Sequence, residues 1–360
     1  MTDSEKNNDL SSSDGLSSDS DVVNPDYFHK KNKIKKPEKY IEGILSGDKM
    51  ILSRAITLIE NTKPEYRDTG QEILEKCLPH SGNSIRVGIT GVPGVGKSTF
   101  IEALGNLVIE EGRRLAVLTV DPSSSKSKGS ILGDKTRMQT LSNSEQAYIR
   151  PSPASGTLGG VTQKTREVIL LCEAAGFDTI FVETVGVGQS ETVVHSMIDF
   201  FLLLMLAGAG DELQGIKRGI MEMADMIAIN KAEESNMAAA NRAKTLYKNA
   251  LALFPDSESG WKPPVLTCSA LEGTGIDEIW ENILSYIDLV KENGFFEQRR
   301  AEQAAWWLHQ TIERQLKDRF YRNPEVKQMI NLFEQDVMKG TITPFKAANE
   351  LLALFEKNKK

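Results

Sequence analysis

The chain has 360 residues, 40% apolar and 26% charged, with a formal net charge of −7 at pH 7. That length suits about two to three domains with a sizeable core, and the acidic balance gives no sign of a nucleic-acid partner. Cys77, Cys172 and Cys268 form no C-x-x-C pair and the four histidines are dispersed, so neither a zinc site nor a disulfide framework is indicated. No apolar run approaches the roughly 18 residues that span a bilayer. The start has neither a signal-peptide core nor an Arg-rich transit composition, so a cytoplasmic protein with no membrane association is expected.

Residues 1–36 are rich in Ser, Asp and Asn, then in Lys (Lys30, Lys31, Lys33, Lys35, Lys36). They read as a disordered acidic tail and a solvated linker, because they can bury too little to offset the entropy of ordering. Residues 37–82 turn helical. Tyr40, Ile41, Ile44 and Leu45 make one stripe, stopped by Gly47. Ile51, Leu52, Ala55, Ile56, Leu58 and Ile59 make a second. Ile73, Leu74 and Cys77 suggest a third, stopped by Pro79.

From 83 to 292 apolar runs alternate with helical segments. The candidate strands are Ile85–Thr90, Leu115–Val120, Ala147–Arg150, Thr179–Glu183, Phe200–Leu206, Met226–Ile229 and Val265–Cys268. Near-continuous apolar strands between helices predict an α/β domain with a mostly parallel sheet, its active loops at the carboxyl ends of the strands. Residues 293–360 are helical again. Ala301, Ala305, Leu308, Ile312, Leu316 and Phe320 recur at helical spacing, and Trp306 and Trp307 widen the apolar face. Core packing and a subunit interface both account for that width. Asn323-Pro324 and Thr343-Pro344 read as starts of two further helices.

The first strand runs into Gly91-Val92-Pro93-Gly94-Val95-Gly96-Lys97-Ser98-Thr99, which fits G-x-x-x-x-G-K-[ST], and an apolar helical pattern follows. Strand, glycine loop and helix is the context of a P-loop nucleoside-triphosphatase. Glycines let successive N–H groups converge on phosphate oxygens, and the helix N-terminus adds positive potential. Lys97 is placed to reach the β- and γ-phosphates and Ser98 to bind Mg²⁺. Asp121, after the second strand, suits Mg²⁺ or a turn cap. A Ser/Gly/Lys-rich stretch then leads to Asp134 and Arg137, the latter a phosphate partner or a surface ion pair.

Glu183 ends the fourth strand, the position of the Mg²⁺-fixing Walker B acid, and Gly186 fits a switch glycine whose N–H meets a γ-phosphate. Asn230-Lys231-Ala232-Glu233 approximates the guanine-reading Asn-Lys-x-Asp, with Glu one methylene longer. Ser269-Ala270-Leu271 fits the loop whose Ala N–H meets the guanine carbonyl. His195, among Val193, Val194 and Met197, reads as a structural histidine.

These motifs, together with Gly129-Ser-Ile-Leu-Gly-Asp-Lys-Thr-Arg-Met138, Arg150-Pro-Ser-Pro153, Gly156-Thr-Leu-Gly-Gly160, Glu183-Thr-Val-Gly-Val-Gly-Gln-Ser-Glu191 and Gly210-Asp-Glu-Leu-Gln-Gly-Ile-Lys-Arg-Gly219, resemble the MeaB/ArgK-type GTPases over about residues 38–355. The resemblance implies a P-loop GTPase that binds GTP and GDP with Mg²⁺ and assists an adenosylcobalamin-dependent acyl-CoA mutase. The cobalamin belongs to that partner, whose loading and protection the GTPase controls. It implies catalytic or metal roles for Lys97, Ser98, Asp121, Asp134 and Glu183, and a partner-sensing loop carrying Gln214 and Lys217. It also implies a homodimer held through the C-terminal helices. Two departures from the family pattern are Glu233 for Asp and Ser125-Lys-Ser-Lys128 in the first switch. The alternatives are an ATPase or kinase of an amino-acid transport system, a metal-insertion GTPase, and a nucleotide-switched scaffold.

Overall fold

A computed structural model describes residues 36–61, 63–120, 138–152, 158–184, 190–207 and 218–357. The 1–35 part of the N-terminal tail, and the 121–137 and 208–217 segments, lie outside them.

All seven predicted strands form, as β1 (Ile85–Gly91), β2 (Leu115–Val120), β3 (Ala147–Ser152), β4 (Thr179–Thr184), β5 (Phe200–Leu206), β6 (Met226–Asn230) and β7 (Val265–Thr267). They make one sheet in the order β3-β2-β4-β1-β5-β6-β7, with every pairing parallel. β2 and β4 are buried at every position, which is why they read as unbroken apolar runs rather than alternating ones. Pro151 is tolerated because β3 is an edge strand with one side free of ladder bonds.

The helices in chain order are α1 (Pro37–Leu45), α2 (Lys49–Glu60), α3 (Pro64–Cys77), α4 (Lys97–Glu110), α5 (Gln139–Asn143), α6 (Leu158–Ala174), α7 (Ser190–His195), α8 (Arg218–Glu222), α9 (Met237–Leu251), α10 (Ile276–Glu292), α11 (Phe295–Arg322), α12 (Pro324–Met338) and α13 (Pro344–Lys357). Helix α4 packs on β1, β2 and α10, while α6 packs on α7 and on the three N-terminal helices. Phe100, Phe177, Phe181, Phe200, Phe201 and Trp280 are fully buried between these layers. The third N-terminal helix stops just before Pro79, as the sequence suggests. It ends at Cys77, and a 3₁₀ turn from Leu78 to His80 carries the proline in its first turn, where the missing N–H has no helical partner to lose.

The two ends of the sheet differ in chemistry. At the amino end buried charges are paired: Arg86 is bidentate to Glu173 at 2.9 and 3.0 Å, and Arg300 is bidentate to Asp199 at 2.8 and 2.7 Å. Such pairs cost much to break because either partner alone is an uncompensated buried charge. The carboxyl end carries the glycine loop.

In the C-terminal helices, Trp307 is buried and its indole N–H donates to Ser196 O at 3.1 Å, whereas Trp306 stays partly exposed and meets Trp307 edge-on. The wide face predicted for this helix is therefore divided between core docking and an outer surface. Beyond it Leu308, Ile312 and Leu316 are exposed. Asn323 caps α12 by accepting the N–H groups of Glu325 and Val326 at 3.0 and 3.2 Å, and Thr343 Oγ1 accepts from Lys346 N at 3.3 Å. An apolar groove of about 360 Å³ runs between α12 and α13, lined by Ile330, Phe333, Val337, Pro344, Ala347 and Leu351.

Candidate functional site

The glycine loop, Gly91 to Ser98, joins β1 to α4 at the carboxyl end of the sheet. A side chain at Gly91 would put its Cβ 2.5 Å from Leu204 O on β5, so close strand packing demands glycine there. Gly94 and Gly96 hold φ of +79° and +91°, the left-handed region that favours glycine. Val92 and Val95 are buried and pin the loop, while Pro93, Gly94 and Thr99 face outward. Lys97 folds back so that Nζ donates to Gly91 O at 2.9 Å. Burial pushes its pKa down, while the carboxylates of Glu183 and Glu191 pull it up. Ser98 lies half-buried in the first turn of α4.

Glu183 is buried near the end of β4, in register with Ile89 of β1 and Thr119 of β2. Next to it the Thr184 hydroxyl donates to Thr90 Oγ1 at 2.8 Å, both residues being fully buried. The bond ties the strand that carries the carboxylate to the strand that carries the glycine loop.

Asn230 ends β6 and links three loops. Its Nδ2 donates to Val95 O at 2.8 Å, and its Oδ1 accepts Ala270 N–H at 3.0 Å. The Cys268 thiol, its pKa raised by burial to about 12, lies 3.7 Å from the same Oδ1. Lys231 adopts φ of +61°, the only left-handed non-glycine among the described residues. Such a conformation persists only where its surroundings impose it; here Asn236 Nδ2 donates to Lys231 O at 2.8 Å and Ala232 N to Cys268 O at 3.0 Å. Glu233 Oε1 accepts the Ser269 hydroxyl at 2.8 Å, and Ser269 Oγ in turn accepts Glu272 N–H at 3.2 Å. Leu271 is 80% exposed at the rim.

The structure therefore brings Gly91 to Thr99, Glu183, Asn230, Lys231, Glu233 and Ser269 to Leu271 to one end of the sheet. Asp121, Asp134, Arg137, Gly186, Gln214 and Lys217 lie outside the described residues. His195 is not part of this end. Its Nε2 lies 2.9 Å from Arg299 Nη2, and burial with the neighbouring guanidinium holds its pKa down to about 3, so it is neutral. Two features escape single-sequence reading. Nothing in the residue pattern pairs Thr90 with Thr184, 94 positions apart. Glu191, fully buried on α7, looks like any acid in a helix's first turn; the signal for it was its place in the run that begins at Glu183.

A parallel sheet whose glycine loop opens a helix, a buried acid at the end of the adjacent strand, and Asn-Lys and Ser-Ala loops tied to that glycine loop define a P-loop GTPase. Residues 52–325 match the family described as "Methylmalonyl Co-A mutase-associated GTPase MeaB". A probable GTPase of Mycobacterium tuberculosis is 50% identical over 311 residues, covering 86% of this chain and 93% of that protein. The GTPase ArgK of Escherichia coli is 45% identical, with 84% and 92% covered. The mouse protein named "Methylmalonic aciduria type A homolog, mitochondrial" is 43% identical, with 89% and 79% covered. A crystal structure described as "LAO/AO transport system kinase" superposes with a TM-score of 0.70 at 37% identity, covering 89% of this chain and 98% of that one. This chain belongs to the MeaB family and is a GTP hydrolase.

Proposed function

We propose that the chain hydrolyses GTP with Mg²⁺ and uses the GTP/GDP cycle to control cofactor loading and protection of an adenosylcobalamin-dependent acyl-CoA mutase. The observation that carries the guanine reading is Asn230, which holds the Asn-Lys and Ser-Ala loops against the phosphate loop through Val95 O and Ala270 N. The mutase reading is supported by the family description and by the methylmalonic aciduria relatives.

The donors at the carboxyl end of the sheet fit Mg²⁺. Ser98 supplies a half-buried hydroxyl and Glu183 a buried carboxylate, both hard oxygen ligands, and Lys97 neutralises part of the surrounding negative charge. Mg²⁺ held by Ser98 and, through water, by Glu183 would supply positive charge to the β- and γ-phosphate oxygens; Asp121 and Asp134 are the further candidates. Loop N–H groups and Lys97 bind the phosphates and stabilise the charge that develops as water attacks the γ-phosphorus and the bond to the β–γ bridging oxygen breaks. Val187 stands after Gly186, where Ras-type proteins carry a water-positioning glutamine. Slow intrinsic turnover is expected, with acceleration when the mutase orders the 211–219 loop through Gln214 and Lys217. Equal turnover with and without mutase would sink that part.

The second reading, a kinase of an amino-acid transport system, is raised by the description of the 37% identical structure. Titration with GDP and ADP separates the two: guanine preference, lost in Glu233→Ala and retained in Glu233→Asp, is the expected result. Co-purification with the host's cobalamin mutases, under GDP and under a non-hydrolysable GTP analogue, tests the partner. We also propose a cytoplasmic homodimer joined through α11 to α13, supported by the exposed Leu308, Ile312 and Leu316 and the apolar α12–α13 groove. No helix among the described residues is long and apolar enough to cross a membrane.

A further inference from the structure

The C-terminal helices reach back toward the phosphate site through one short element. Helix α7 begins directly after residues 185–189, which follow the Glu183 strand. It packs against β1, β4 and α6, and it carries Glu191, fully buried, whose carboxylate favours the charged form of Lys97.

Three side chains of α11, spaced four residues apart and so on one stripe, hold the last residue of α7 and the turn that follows it. Arg299 Nη2 donates to His195 Nε2 at 2.9 Å, Gln303 Nε2 to Ile198 O at 2.8 Å, and Trp307 Nε1 to Ser196 O at 3.1 Å. Because an arginine only donates, Nε2 of the neutral His195 is the acceptor and its proton sits on Nδ1. The His195 ring also stands edge-on to Phe201 at 5.9 Å. Arg299 is itself fixed by Tyr286 OH and Asp199 O, each at 3.0 Å, and by Asp225 at 3.7 Å. An apolar seam would dock α11 wherever α7 happened to sit. Hydrogen bonds aimed at successive groups of residues 195–198 fix the end of α7 in position as well, because they weaken steeply with misalignment.

We propose that Gln303 and Trp307, with Arg299, are positioning residues for GTP hydrolysis: they hold residues 195–198 at the end of α7, and with that helix the buried Glu191 against β1 and β4. Displacing α11 then shifts Glu191 relative to the glycine loop. This deepens the hydrolysis reading alone and does not depend on which partner the protein serves.

Gln303→Met keeps the side-chain volume and removes the donor to Ile198 O. Trp307→Phe keeps an aromatic ring and removes the donor to Ser196 O. In the full chain the double variant is expected to lower kcat for GTP about three- to tenfold while KM and GDP affinity stay within about twofold. Val326→Ala, a cavity in the remote helix α12, is the control: a comparable loss of Tm with kcat unchanged. Unchanged kcat in the folded double variant overturns the proposal; should the double variant not fold, Trp307→Phe alone is judged by the same readout. Independently, amide exchange of the wild-type chain with GDP and with a non-hydrolysable GTP analogue should differ at 295–307 as well as at 190–199, since coupling is reciprocal. No difference at 295–307 overturns it. Absence of turnover in the wild-type chain would count against hydrolysis itself, whereas failure confined to the variants touches only the positioning role.

Discussion

Asn230 concentrates more of the site in one side chain than any other described residue. Its amide joins the phosphate loop to the base-reading loops inside a buried shell, so its removal leaves Val95 O and Ala270 N short of a partner. An unmet buried group costs about 1–3 kcal/mol. Asn230→Ala is therefore expected to lose about 2 kcal/mol or more in denaturant unfolding and to weaken GDP at least tenfold by titration calorimetry. His195 makes a prediction about acid. Its folded pKa of about 3 lies below the 6.5 of an ordinary imidazole, so the unfolded chain binds the proton more readily. The stability from keeping the ring neutral is fully present above about pH 6.5 and is lost as pH falls toward 3, by up to about 1.4 kcal/mol per pH unit. His195→Gln, which retains an acceptor for Arg299, should show a shallower loss of urea midpoint between pH 6.5 and 5. The motif residues at this scale were legible in the sequence because each sits at a strand end beside glycine, asparagine or serine. Thr90–Thr184 and Glu191 were not, because their meaning depends on which strands and helices become neighbours.

At the scale of elements, the strands were read to within a residue or two because burial on both faces leaves an uninterrupted apolar run. Gly96 starts α4 at φ of +91°, and a Cβ there would lie 3.1 Å from Asn230 Nδ2. Gly96→Ala is expected to cost about 1–2 kcal/mol from backbone strain and to weaken GDP, read by thermal unfolding with and without nucleotide. The Asn323 cap sets the turn between α11 and α12 by accepting two N–H groups. Asn323→Ala should destabilise by about 1 kcal/mol without changing kcat for GTP, because the loss falls at the far end of α11 from Arg299, Gln303 and Trp307.

At the scale of the whole molecule, α11 divides its 28 residues between two tasks. Its first half docks by directed bonds on residues 195–199, at the amino end of the sheet. Its second half presents Leu308, Ile312 and Leu316 outward beside the α12–α13 groove. Placing a charge on that surface with Ile312→Glu should halve the solution mass seen by light scattering while GDP affinity is unchanged. A wild-type chain that is already monomeric would refute the dimer.

The sequence by itself determined the α/β class, the seven strands, the glycine loop and the pairing of Asn-Lys with Ser-Ala. These follow from local rules: apolar periodicity, left-handed glycines and the fixed spacing of phosphate-binding backbone. Only the tertiary structure decided that the order β3-β2-β4-β1-β5-β6-β7 puts Glu183 and Thr184 beside the glycine loop. It alone decided that Asn230 ties Val95 to Ala270, and that Arg299, Gln303 and Trp307 grip residues 195–198 at the end of α7. Those contacts join residues about 40 to 135 positions apart, and hydrogen bonds across such separations leave no periodic trace in the chain.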